Sequence, residues 1–181
     1  MKKKILIGLG IFVVLIIVLM FYMNNRNRTL SPPGEVSISG AGIDVSVNYS
    51  RPSVRDRLIF GEEEEGALQP YGVYWRLGAN EPTFIEVSSN FRFGGDDFPA
   101  GKYVIYAFPR KGEMEIRLNS DLRFWGYTEP DYSQDLSTVV VPVSRGEHTE
   151  QFTISGDAND DGVNLIFNWS NSQWELPIEK Q

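Results

Sequence analysis

The sequence predicts an all-β fold, an antiparallel β-sandwich preceded by one N-terminal transmembrane helix. Three observations predict it. Ile5 to Met23 is an unbroken run of 19 uncharged residues, almost all apolar. Beyond it, short segments alternate apolar and polar residues with the period of a half-buried strand. Gly, Pro, Asn and Asp punctuate those segments at short intervals, as tight turns require.

The apolar run comes first. At 1.5 Å per residue, 19 helical residues span about 30 Å, the thickness of a hydrocarbon core. Lys2, Lys3 and Lys4 precede it, whereas Arg26 and Arg28 follow it. Positive charge favours the cytoplasmic side, so the N-terminus is expected inside and the rest exported, to the periplasmic side in a Gram-negative envelope. A cleaved signal peptide fits less well: its apolar region is about 7–15 residues, and Phe21-Tyr22-Met23-Asn24-Asn25 offers no small-residue cleavage site. The expected division is an anchor over 1–23, a short polar stalk over 24–33 ending in Pro32-Pro33, and an exported domain over 34–181. An extended ten-residue stalk reaches at most about 35 Å.

From Thr29 onward the chain holds 12 basic and 24 acidic residues, a net charge of −12. Such a domain repels phosphate at long range, which argues against nucleic acid as a partner. About 150 residues suffice for one domain with a real core. The chain has no cysteine, which excludes a disulfide framework, a thiol nucleophile and a thiolate metal site.

The expected strands are Glu35–Ser39, Ile43–Tyr49, Thr83–Ser88, Lys102–Phe108, Glu113–Leu118, Thr138–Val143, Thr149–Ser155, Val163–Trp169 and Gln173–Ile178. The last two form a hairpin if Asn171-Ser172 is a two-residue turn. Val163, Leu165, Phe167 and Trp169 then share a face with Trp174, Leu176 and Ile178, which reads as core. Pro177 cannot donate to a ladder, so the final strand is expected at an edge or to end there.

The stretch Tyr49–Thr83 has a different texture. It sets Arg51, Arg55, Arg57 and Arg76 among Tyr49, Phe60, Tyr71, Tyr74 and Trp75, and its alternation breaks. Loops on a rigid sheet are where binding residues concentrate. Tyr49-Ser50-Arg51-Pro52-Ser53-Val54, Ile59-Phe60-Gly61, Pro70-Tyr71-Gly72, Trp75-Arg76, Gly78-Ala79-Asn80-Glu81, Pro99-Ala100-Gly101-Lys102-Tyr103 and Trp125-Gly126 carry a resemblance. With them the chain resembles the domain of unknown function 2911 family over about residues 31–178. The resemblance implies an exported, mostly β domain and no particular reaction. The acidic insert Glu62–Gln69 departs from that family's shorter, more apolar link.

Candidate ligand-binding residues are Arg51, Tyr71, Arg76, Asn80 and Glu81. Arginine forks suit planar anions, and aromatic neighbours suit rings. A buried Arg76 needs carboxylate or carbonyl partners, with Glu81 or Asp56 in reach, and a structural staple is the plainer role. Glu62–Glu65 reads as a solvated loop. Asp157, Asn159 and Asp161, followed by Gly162, match the opening of a calcium loop. The twelfth position, however, is Asn168 inside a strand, and Asp, Asn and Gly also suit an ordinary turn. Calcium is therefore the one cofactor the sequence suggests, and weakly. No catalytic residue is nominated: His148 is the sole histidine, without a G-x-S-x-G context.

The expected function is binding by a membrane-anchored exported domain, of a small polar or carbohydrate ligand. A carboxylate-dependent hydrolase of envelope polysaccharide and a structural partner of another envelope protein are the alternatives.

Overall fold

The computed structural model describes residues 2–124 and 128–181, so the motif Trp125-Gly126 lies outside the described residues. A 29-residue helix, α1 (Lys2–Leu30), opens the chain. Its apolar run is exposed along its whole length, with no part of it buried against the domain. The helix is long and apolar enough to cross a membrane.

Most of the expected stalk is helical: Asn24–Leu30 continue α1. Nothing before Pro32 breaks the helix, and a proline disfavours helical geometry at the residue ahead of it, so α1 stops at Leu30. Seven helical residues rise only about 10 Å beyond Met23.

Three sheets follow. A six-stranded sheet has the order β1 (Pro33–Gly40), β2 (Ile43–Ser50), β5 (Thr83–Val87), β8 (Gly101–Arg110), β9 (Glu113–Asn119), β10 (Asp135–Pro142). A four-stranded sheet has the order β11 (Ser144–Ala158), β12 (Gly162–Lys180), β6 (Phe91–Phe93), β7 (Asp96–Phe98). All pairings in these two are antiparallel. A short parallel pair, β3 (Phe60–Gly61) and β4 (Gln69–Pro70), brackets the acidic insert. The two large sheets pack as a sandwich, as expected from the alternation. Val45, Val47, Ile85, Ile105, Ile116 and Leu118 face Phe152, Leu165, Phe167, Trp169, Trp174 and Leu176 across one buried core.

All nine expected strands fall on observed ones. The β6–β7 hairpin goes beyond them; Gly94 and Gly95 turn it with φ of 62° and 94°, a left-handed pair that two-residue hairpins favour.

The C-terminal run β12 is extended throughout, yet it turns back on itself. Phe167 and Trp174 stack with centroids 5.4 Å apart, and Asn164 Nδ2 donates to Glu175 Oε2 at 2.5 Å. Seven residues of straight strand would separate the first pair by about 23 Å. The reversal therefore lies between Trp169 and Trp174, where Ser170 takes φ 54°. Both tryptophans are fully buried. The strand does not end at Pro177, one of the two expectations for it, but runs on to Lys180; β6 pairs with it only past the proline, at Glu179 and Lys180.

Candidate functional site

Two loops frame a cavity at one end of the sandwich. The first, residues 52–57, is tied to β11: Val54 N donates to Glu150 O (2.8 Å), and Phe152 N to Pro52 O (2.9 Å). The second, residues 74–80, is tied to β8 of the opposite sheet by a two-way bridge. There Trp75 N donates to Ala107 O and Ala107 N to Trp75 O, each at 2.8 Å. The cavity thus opens where the two sheets part. Its volume is about 360 Å³.

The local backbone is strained. Among the described residues six non-glycines have left-handed φ, and four lie in these loops: Arg55 (50°), Asp56 (55°), Leu77 (51°) and Asn80 (58°). Each such residue costs on the order of 1–2 kcal/mol. Strain of this kind gathers at ligand clamps, held by the structure around it. Here the supports are Thr83 Oγ1, which donates to Leu77 O (2.7 Å), and Trp75 Nε1, which donates to Gly78 O (3.1 Å). A Cβ at Gly78 would sit 2.8 Å from Ser50 O, so only glycine lets the loop lie this close to β2.

Among the described residues three arginines line the cavity, Arg55, Arg57 and Arg76, and no Asp or Glu does. Arg57 donates to Val54 O (3.0 Å) and Ser53 O (2.6 Å). Arg55 donates to Leu30 O at the end of α1 (3.3 Å), and Arg76 to Asn80 O (3.0 Å). Carbonyl bonds orient the Arg55 and Arg57 side chains without neutralising them. Two buried donors add to the wall. Trp169, wholly buried, has an indole N–H with no hydrogen-bond partner, and the buried Tyr74 hydroxyl has none either. Burial pushes the Tyr74 phenol up to about 12; Arg76 opposes this and Glu129 adds to it.

The sequence-nominated residues divide. Arg76 and Asn80 line the cavity. Glu81 joins them in an adjoining cavity of about 390 Å³ that runs down the side of α1 past Arg28 to Asn24. Glu81 forms an ion pair with Arg28 at 2.5 Å. Arg51 and Tyr71 line neither space. Arg51 Nη2 donates instead to Thr153 Oγ1 (3.1 Å), fastening β2 to β11. Arg55 and Arg57, the cavity's other cations, were legible as part of the arginine cluster but not distinguishable from Arg51 in a linear reading. Glu62–Glu65 are exposed, with Glu63–Glu65 a single 3₁₀ turn. The end of this insert, Leu68-Gln69, does reach the cavity rim.

At the nominated calcium loop, Asp157 closes β11, and Asn159 Oδ1 accepts from Asp161 N (2.9 Å) and Gly162 N (2.7 Å). The asparagine oxygen is thus committed to the hairpin turn. Among the described residues no group of three or more acidic or histidine side chains is placed to hold a metal. His148 sits half-exposed, 3.6 Å from Glu150.

A second arginine cluster lies on the outer face of the six-stranded sheet. Arg117 pairs with Glu115 (2.7 Å) and Asp135 (3.0 Å); Glu115 also pairs with Arg110, and Asp135 accepts from Tyr106 (2.5 Å) and Asn119 (2.7 Å). The Arg117 guanidinium lies over the Phe108 ring at 4.7 Å. Burial and the bond to Asp135 push the Tyr106 phenol well above its ordinary range.

A family model described as "Protein of unknown function (DUF2911)" matches residues 31–178. The chain belongs to the DUF2911 family. No curated protein and no solved structure matches it. In this DUF2911 member the matched region begins at Ser31, immediately after α1, and Ser31 itself is on the cavity rim. Three of the motif stretches by which the sequence resembles the family supply much of the wall, through Pro52-Ser53, Trp75-Arg76 and Gly78-Ala79-Asn80.

Proposed function

We propose that this DUF2911 member is a membrane-anchored binding domain whose cavity takes a small ligand bearing an oxyanion, a carboxylate or phosphate. The observation that carries the reading is the charge of the lining: three arginines and no carboxylate, in a domain whose net charge is −12. Arginine forks held by carbonyl bonds are preorganised for a planar or tetrahedral anion. A neutral sugar stacked on a ring is the poorer match. The Trp75 and Trp169 faces are spent on each other, stacked 5.4 Å apart. The charged groups that the lining offers a ligand are all donors. A carboxylate-pair hydrolase has no carboxylate in this lining to work with.

The anchoring half of the proposal is supported by α1, whose apolar run finds no cover within the chain. Lys2–Lys4 favour a cytoplasmic N-terminus and an exported domain. A single cysteine at the exposed turn residue Lys111 tests the orientation. A membrane-impermeant maleimide should label it once any outer membrane is permeabilised, with the inner membrane intact; labelling only after full lysis would reverse the topology.

Binding is tested on the full chain in phosphatidylcholine nanodiscs, by thermal unfolding with inorganic phosphate, citrate, glucuronate and glucose. A bound ligand raises the melting temperature by mass action. The acidic compounds should raise it and glucose should not. No response to any acid, or an equal response to glucose, would remove the anion reading.

A further inference from the structure

We infer that the cavity is a seat for the anionic headgroup of a lipid in the leaflet from which α1 emerges. This deepens the anion-binding reading above and rests on it, and on α1 as an anchor.

The argument is one of height and charge. The apolar run ends at Met23, and the adjoining cavity begins at Asn24, the next residue. From there it climbs the helix past Asn27 and Arg28 to Arg76 and Asn80, which also line the first cavity. Leu30 and Ser31, on the first cavity's rim, stand about 10 Å above Met23 along the helix. The polar layer of a bilayer is about 5–8 Å deep on each side. The two cavities therefore occupy the level of headgroups and the water just above them.

The domain is fastened at this height rather than tethered loosely. Arg55 donates to Leu30 O (3.3 Å), Asn80 Nδ2 to Ser31 O (3.2 Å), and Arg51 N to Pro32 O (2.8 Å), while Arg28 pairs with Glu81. Arg55 and Asn80 thus take up carbonyls that the last turn of a helix leaves without intrahelical partners. This fastening fixes the arginines facing the bilayer surface.

Charge then selects the occupant. The domain as a whole is acidic and is repelled by an anionic surface, yet Arg28, Arg55, Arg57 and Arg76 gather at the helix junction. Beside them are Glu81, already paired with Arg28, Asp56, Glu129, whose charge reaches Tyr74, and Glu150, which accepts from Arg55 N (3.0 Å). A lipid phosphate presents oxygens to such a cluster and is held at high local concentration by the anchor itself. The unpartnered Trp169 N–H at the cavity wall is a neutral donor for an acceptor reaching further in.

The test compares full-length protein in nanodiscs of phosphatidylcholine alone and of phosphatidylcholine mixed with phosphatidylglycerol. Unfolding is followed by tryptophan fluorescence. The melting temperature should rise by several degrees in the anionic discs. The rise should shrink with added salt and vanish in Arg57→Ala/Arg76→Ala, but persist in Arg92→Ala, far from the junction. Native mass spectrometry of the wild type provides a readout that does not depend on variant folding: phosphatidylglycerol should be retained in preference to phosphatidylcholine. Equal melting temperatures in both discs, a rise undiminished in the double variant, or no preference for phosphatidylglycerol would overturn the inference. Free glycerol phosphate, added to the phosphatidylcholine discs, separates the two levels. If it stabilises the protein and phosphatidylglycerol does not, the headgroup inference fails and the anion-binding reading stands. If neither does, and the acids above also have no effect, both fail.

Discussion

The two arginine clusters of this domain share one cationic side chain and end in opposite states. On the outer face of the six-stranded sheet, Arg117 lies between Glu115 and Asp135, which also accept from Arg110, Tyr106 and Asn119. Each charge there meets its opposite, and only 5% of the Glu115 side chain is exposed. At the end of the sandwich, the Arg55 and Arg57 side chains donate to backbone carbonyls, and no Asp or Glu is among the described residues that line the cavity. The first cluster has satisfied itself and reads as structure. The second retains positive charge facing an open space, within loops that hold left-handed backbone. An arginine's role is thus read from the charge of its partners rather than from its exposure or its neighbours in sequence.

Substitutions sharpen that contrast, and the largest effect is expected beneath the cavity. Trp169 packs on Trp75 and Phe152 and is fully buried. Trp169→Ala should cost about 3–5 kcal/mol in denaturant unfolding of the anchored protein. A cost under about 1 kcal/mol would mean that the cavity wall is not part of the core.

Next is the outer cluster. Glu115→Gln leaves Arg117 with one carboxylate and Arg110 with none of those now in contact. A loss of about 3 kcal/mol is expected, the low end for breaking a buried pair, because Arg110 is half-exposed. Ligand binding should be unchanged. The cavity should show the reverse pattern. Arg57→Ala removes two hydrogen bonds to carbonyls near the surface and should lower stability by only about 1 kcal/mol. Arg76→Lys keeps the charge but loses the planar fork, and should weaken binding of an acidic ligand by about 1–3 kcal/mol. Should Arg76→Lys destabilise the protein strongly and leave binding intact, Arg76 would belong with the structural cluster.

The smallest effect at neutral pH concerns Tyr74. Its buried hydroxyl has no partner, so Tyr74→Phe should be neutral or slightly stabilising. The difference emerges in alkali. The phenol ionises near pH 10 in the unfolded chain and near 12 in the folded one. The unfolded state loses its proton first, so stability is intact below about pH 10 and falls as pH rises toward 12. Tyr74→Phe should reduce that fall without abolishing it, since the Tyr106 and Tyr132 phenols are also pushed upward. Identical alkaline profiles for the two proteins would place the Tyr74 hydroxyl in solvent.

How much was legible in the sequence follows from the range of the forces involved. The apolar run of α1, the alternation of the strands and the burial of Trp169 and Trp174 follow from one-dimensional patterns, because solvent sorts side chains by face with a fixed period. The reversal near Asn171-Ser172 was legible for the same reason: the apolar positions change from odd to even numbers across it. The helical conformation of 24–30 was not legible because polar composition does not forbid a helix; only Pro32-Pro33 stops one. The site was half legible. The stretch dense in arginine and aromatic residues marked the right loops and led to Arg76, Asn80 and Glu81. It could not say that Arg51 points to β11 while Arg55 and Arg57 face the cavity. Those directions depend on left-handed turns at Arg55 and Asp56 and on pairings with strands roughly a hundred residues away in sequence. Which carboxylates reach which arginines was likewise decided only in three dimensions. Charge pairing depends on distances of a few ångströms, and the packing of the two sheets set them.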